Sequence, residues 1–238
     1  VISNTSKHIR NPIYLHWRPK DLLRLISWRF YQYLVQKNLV TKNSNDIKWD
    51  KFSDVLSKVW HPYFGIELSN RINLPEKTFP YILRHTQMRP RQLIMLCNNI
   101  ARLAIKRGRF PNFSAKDIIE GIKNTELALA IEVINSFAKT YGNIDRILYA
   151  LNGLPVRFKG NILDKVARKT ASAWQKGEYS SGRFKQIVTE LGVVGRVRQV
   201  DEKTRITEAD FSYNLEDRLF LAESDDCIIH PMFFRKFN

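Results

Sequence analysis

The chain has 238 residues, 44% of them apolar, enough for a sizeable core, and the length predicts two compact units rather than one. Cys97 and Cys227 stand far apart with no Cys-x-x-Cys pair, which excludes a disulfide framework and zinc-ligand spacing and fits a reducing, cytoplasmic compartment. No apolar run approaches the roughly 20 residues that cross a bilayer, and the polar stretch 1–12 lacks the apolar centre of a signal peptide, so a soluble protein with a cut first end is expected.

The formal charge of +16 predicts a polyanionic partner or an acidic protein surface. Residues 1–112 hold 20 basic and 6 acidic residues, net +14, against 19 and 17, net +2, in residues 113–238. Within the second half, residues 143–205 carry 13 basic and 6 acidic residues, net +7, and residues 206–238 carry 3 and 7, net −4.

In chain order, residues 19–39 set Leu22, Leu23, Ile26, Phe30, Tyr33 and Leu34 at helical spacing, with Pro19 at a first helical position and Arg24, Arg29 and Gln36 off the stripe. A polar break at 41–45 precedes a shorter helix that carries Phe52, Val55, Leu56 and Val59 on one face and is expected to end at His61-Pro62. After a loop through Gly65, the spacing predicts a helix over 75–86 with Phe79, Ile82 and Leu83 inward. A new helix starts at Pro90, buries Leu93, Cys97, Ile100 and Ala104, and stops at Gly108.

Arg89 and Arg91 therefore sit at a helix N-terminus, where free N–H groups and the helix dipole favour an anion, phosphate above all. The competing reading pairs them with neighbouring carboxylates or leaves them solvated. Ser114 caps the next helix, with Asp117 in its first turn and Ile118, Ile119 and Ile122 inward, and a break is expected near Asn124. A second stripe, Leu127, Ile131, Ile134 and Ala138, completes a connecting pair of helices over 113–142 between a helical domain at 1–112 and a second domain at 143–238.

From Asn143 the pattern becomes a short helix ending at Gly153, a strand with Leu154, Val156 and Phe158, a helix over 161–172, a break at 177–182 and a helix over 181–191. Val193, Val194, Val197 and Val200 then form a strand, a turn at 201–204 leads to a returning strand over 205–213, and residues 227–233 are extended. Helix, strand, helix, helix and wing is winged-helix order. The expected fold is mainly α: a helical lid-like bundle followed by a winged-helix domain with a small antiparallel β-sheet.

In a DNA-binding winged helix the third helix would present Arg183, Lys185, Gln186 and Thr189 to the major groove, and Arg196, Arg198, Lys203 and Arg205 would meet phosphates from the wing. Glu190, Glu202 and the acidic tail oppose that use, and protein docking is its rival. The glycines of 177–182 have phosphate-loop spacing, but Arg183 and Phe184 stand where Lys and Ser/Thr belong. Glu223, Asp225 and Asp226 near His230 read as an acidic turn rather than a metal site, and His8, His16, His61 and His85 have no partner at ligand spacing. No catalytic residue and no metal ligand is assigned.

The run Ile13-Tyr14-Leu15-His16-Trp17 before a long helix, the helix start Met88-Arg89-Pro90-Arg91-Gln92-Leu93, and Leu191-Gly192-Val193-Val194-Gly195 resemble the C-terminal half of bacterial AAA-like and STAND-type P-loop ATPases. The resemblance implies a lid in which Arg89 or Arg91, at the sensor-2 position, reaches nucleotide phosphates, and a winged helix that contacts DNA or restrains the ATPase core. It also implies an upstream core as partner, ATP and Mg²⁺ held in that core, homo-oligomeric assembly switched by nucleotide, and no membrane. The phosphate-binding loop and the acidic Mg²⁺ residues of that family are absent from this sequence, which is therefore not an enzyme alone. The alternative is a free-standing winged-helix nucleic-acid-binding protein.

Overall fold

A computed structural model describes residues 16–40, 46–175, 177–215 and 217–237. His8, the stretch 1–12, Ile13 to Leu15 of the first motif, and the break at 41–45 lie outside the described residues.

Helix α1 (Pro19–Gln36) opens with Pro19, and its first-turn Asp21 accepts from Arg18 Nε at 2.8 Å. It buries Leu22, Leu23, Ile26, Tyr31 and Leu34, so Tyr31 takes the inward place that the spacing gave to Tyr33, which is exposed. Helix α2 (Phe52–Val55) runs into a π-helical stretch, Leu56–Trp60, and on into α3 (His61–Phe64). His61-Pro62 does not end the helix. The wider π turn lets Pro62 enter at the start of a fresh α turn, where its missing N–H costs nothing, and Gly65 ends the element at φ +74°.

Strands β1 (Glu67–Ser69) and β2 (Pro75–Lys77) form an antiparallel hairpin, so the helix expected over 75–86 starts only at Thr78, as α4 (Thr78–Leu83). The reason is local: Asn70 Oδ1 accepts from the N–H groups of Ile72 and Leu74, closing the hairpin before Pro75. Helix α5 (Pro90–Lys106) begins and ends where the sequence places it, with Gly108 at φ +66°. Helix α6 (Ala115–Phe137) is capped by Ser114 in a reciprocal box with Asp117, which also binds Arg107 and Arg109.

The expected break at Asn124 is absent. Asn124 faces solvent, Thr125 Oγ1 donates to the Gly121 carbonyl, and α6 continues unbroken, burying Ile118, Ile122, Leu129, Val133 and Ile134 while Leu127 and Ile131 are exposed.

The second half follows with α7 (Ile144–Tyr149), β3 (Arg157–Lys159), α8 (Asn161–Lys169), α9 (Ser181–Glu190), β4 (Val194–Val200), β5 (Thr207–Asp210), β6 (Asp226–Ile229) and α10 (Phe234–Phe237). These elements keep winged-helix order. The sheet order is β3-β6-β4-β5, all antiparallel, so the last strand lies inside the sheet rather than at its edge. The fold is mainly α with small antiparallel sheets.

One buried apolar cluster runs through both halves, from Leu22 to Phe237. Polar ties cross with it: Gln87 Nε2 donates to the Leu191 carbonyl at 2.6 Å, and Arg235 Nη1 to the Lys123 carbonyl at 2.8 Å. Among the described residues no helix is long and apolar enough to cross a membrane.

Candidate functional site

Arg89 is the extended N-cap residue of α5, with no side-chain cap on the helix, and it is exposed. It makes no ion pair among the described residues. Arg91, in the first turn, lies 3.3 Å from Glu132 of α6 through Nε, both side chains being well exposed. The start of α5 is held rigidly from beneath, because Gln92 is buried and its Oε1 accepts from the Gln87 N–H at 2.7 Å. The site is thus a firm helix mouth with one unpaired guanidinium group and one held by a surface contact.

The α9 side chains expected to read DNA are used largely within the chain. Lys185 Nζ is 2.8 Å from Asp164 Oδ2, Gln186 donates to Glu190, and Arg183 lies over the Trp174 ring and 3.8 Å from Glu178. Thr189 is 1% exposed and its hydroxyl donates to backbone carbonyls of its own helix, which places it on the core side rather than the outward face. In the wing, Arg196 and Arg198 both contact Asp210, while Lys203 and Arg205 are exposed. The acidic turn is likewise used piecemeal: Asp225 accepts from the Ala222 N–H and Asp226 pairs with Lys159.

A polar cluster that no spacing in the sequence announces lies between the two halves. His85 is buried, and its Nδ1 sits 2.8 Å from Glu126 Oε1, off the line of a good hydrogen bond. Arg71 Nη2 reaches the same Glu126 oxygen at 2.9 Å. Arg84 Nη2 is 3.1 Å from Glu76 Oε2, which also accepts from Asn70. Tyr81 Oη, Arg84 Nε, His85 Nε2 and Glu126 Oε2 are buried atoms without a hydrogen-bond partner, an expensive concentration of unsatisfied polarity.

From the other half His230 reaches across. Its Nδ1 accepts from the Met232 N–H, so the ring proton sits on Nε2, which lies 2.8 Å from Tyr213 Oη and 3.2 Å from the Thr86 carbonyl. Burial pushes the His85 imidazole down to about 4 against the opposing pull of Glu126, and pushes His230 down to about 3. Both rings are neutral near pH 7. Burial raises the Glu126 carboxyl, yet His85 and Arg71 outweigh that and hold it below its ordinary value.

The signals were faint but present. Glu126 falls on the buried stripe of α6, between Ile122 and Leu129, where a carboxylate needs a cationic partner. His85 sits in a polar run flanked by the buried Leu83 and Leu93.

No curated protein and no solved structure matches the chain. Residues 66–125, running from the β1–β2 hairpin into the first half of α6 and containing Arg71, Arg84, His85, Arg89 and Arg91, match the family model of the FunZ-associated C-terminal helical domain.

Proposed function

We propose that the chain is the helical lid and winged-helix region of a P-loop ATPase, in which Arg89, assisted by Arg91, reads the phosphates of a nucleotide bound by the ATPase core. The observation that carries this is the exposed, unpaired Arg89 at the uncapped mouth of the 17-residue helix α5. Helix N–H groups and a guanidinium group together favour a phosphate oxygen. Arg91 is held only by an exposed contact, which a stronger anion readily displaces. A match to a helical domain described as C-terminal agrees with a lid that follows a core.

The winged-helix segment then restrains the core or docks a partner. Helix α9 spends Lys185 and Gln186 on carboxylates of this chain, which weakens the case for base reading. ATP and Mg²⁺ belong to the core, where the metal supplies charge neutralisation at the phosphates. Arg89 and Arg91 bind and orient oxygens from outside.

The test is hydrolysis by the full polypeptide that contains this chain. It should carry a Gly-rich Lys-Ser/Thr loop, and Arg89→Ala with Arg91→Ala should lower steady-state ATP hydrolysis about tenfold, some 1.4 kcal/mol of barrier, at unchanged thermal stability. A polypeptide without such a loop, or hydrolysis equal to the parent's, overturns the assignment.

A further inference from the structure

Between α4 and the wing lies a half-enclosed cleft of about 540 Å³, within the size range of small-ligand sites. One side comes from the first half through Arg71, Arg84 and His85, the other from the second half through Arg157, Arg205 and His230. No Asp or Glu lines it among the described residues. Arg71 and Arg84 are countered from behind by Glu126 and Glu76. Arg157 and Arg205 contact no carboxylate among the described residues, so four guanidinium groups against two carboxylates leave two uncompensated positive charges in the lining.

The rest of the wall mixes apolar side chains, Phe211, Ile206 and Ile228 among them, with polar ones such as Thr204, Thr207 and Asn214. Arg71 and Arg84 keep 34% and 36% of their side chains exposed, whereas His85 is sealed beneath the wall. Arg205 holds a left-handed backbone at φ +55° in the turn between β4 and β5, where its N–H donates to the Asp201 carbonyl at 2.8 Å.

A phosphate monoester carries between one and a half and two negative charges near neutrality, matching the uncompensated pair of arginines. The apolar side chains suit a flat heteroaromatic group, and Thr207 and Asn214 offer it hydrogen-bond partners. We propose that this cleft binds a nucleotide 5′-phosphate, with Arg157 and Arg205 on the phosphate, the base against Phe211, and Arg71 with Arg84 completing the polar contacts. The ligand lies wholly within this chain, so the site stands apart from the phosphate reading at Arg89 and needs no ATPase core. The same chemistry can arrive as a free mononucleotide or as one residue of a single strand.

Titration calorimetry on the chain with AMP, GMP, CMP and UMP, with adenosine, and with a ten-nucleotide single-stranded DNA separates the sources. Binding of at least one monophosphate, or of the oligonucleotide alone, is expected to weaken tenfold or more in Arg157→Ala/Arg205→Ala. Both side chains are on the surface, so that variant should keep the parental melting temperature. Lys116→Ala, at an exposed residue outside the cleft lining, should bind as the parent does. No heat with any probe at about 1 mM, adenosine binding as tightly as AMP, or binding unchanged in the double variant would each overturn the site.

Discussion

His85 and His230 are the two residues whose chemistry ties the halves of the molecule together. Each is buried neutral, so the unfolded chain takes up protons that the folded chain refuses once the pH falls below the ordinary imidazole value of about 6.5. The folded values are lowered, so their contribution is intact above 6.5 and is lost progressively as the pH falls toward 4. Asp117 adds to the loss only further down. Burial alone would raise its carboxyl, but hydrogen bonds from Arg109, Ser114 and Arg107 hold it well below the ordinary range, so its stabilisation begins to erode only below about 3.8 and is lost as the pH falls on toward the lowered folded value.

Between pH 7 and 5 the histidines should therefore dominate, and denaturant midpoints should fall steadily across that range. His230→Gln should flatten part of the slope, whereas a parent with equal midpoints at pH 7 and 5 would show that the two rings are not buried neutral. These partnerships were invisible in the sequence because Glu126 is far along the chain from His85, and Thr86 and Tyr213 from His230. Spacing within one element cannot report a contact between elements.

At the scale of elements, local chemistry was legible wherever it was decisive. Pro90, Gly108 and Ser114 mark the ends of α5 and α6 as the sequence suggests. It failed where tertiary context won. Pro75-Glu76-Lys77 has little strand character, yet it pairs with β1 because Glu76 is drawn inward to Asn70 and Arg84. Asn124 is a poor helix residue, yet packing on both sides carries α6 past it.

The contact between α5 and α6 gives a sharp test. A methyl group on Gly121 would lie 2.9 Å from the Cα of Ile100, too close unless the helices separate. An exposed helical glycine gains up to about 1 kcal/mol on replacement by alanine. Gly121→Ala should instead lose about 1–2 kcal/mol of unfolding free energy, as overpacked cores do. A gain in melting temperature would contradict the close helix approach.

At the scale of the whole molecule, element order was readable because each helix and strand of the second half carries its own apolar pattern. The insertion of β6 between β3 and β4 was not, since strand order depends on long-range pairing. Net charge was readable as a sum but not as a surface. Much of the positive charge expected to face DNA is spent on Asp164, Glu178 and Asp210. The two halves also meet too closely for free movement at one point: Gly192, at φ +65°, leaves no room for a side chain beside Gln87 and Tyr213.

A lid reads nucleotide only if this single packed body presents the mouth of α5 to a bound triphosphate. The most direct measurement is a structure of the full polypeptide with a non-hydrolysable ATP analogue, read for the distance from the Arg89 guanidinium to the nearest phosphate oxygen. The expected value is about 3 Å, a charge-assisted hydrogen bond. An Arg89 side chain in solvent, with the phosphates met entirely by other residues, would contradict the account.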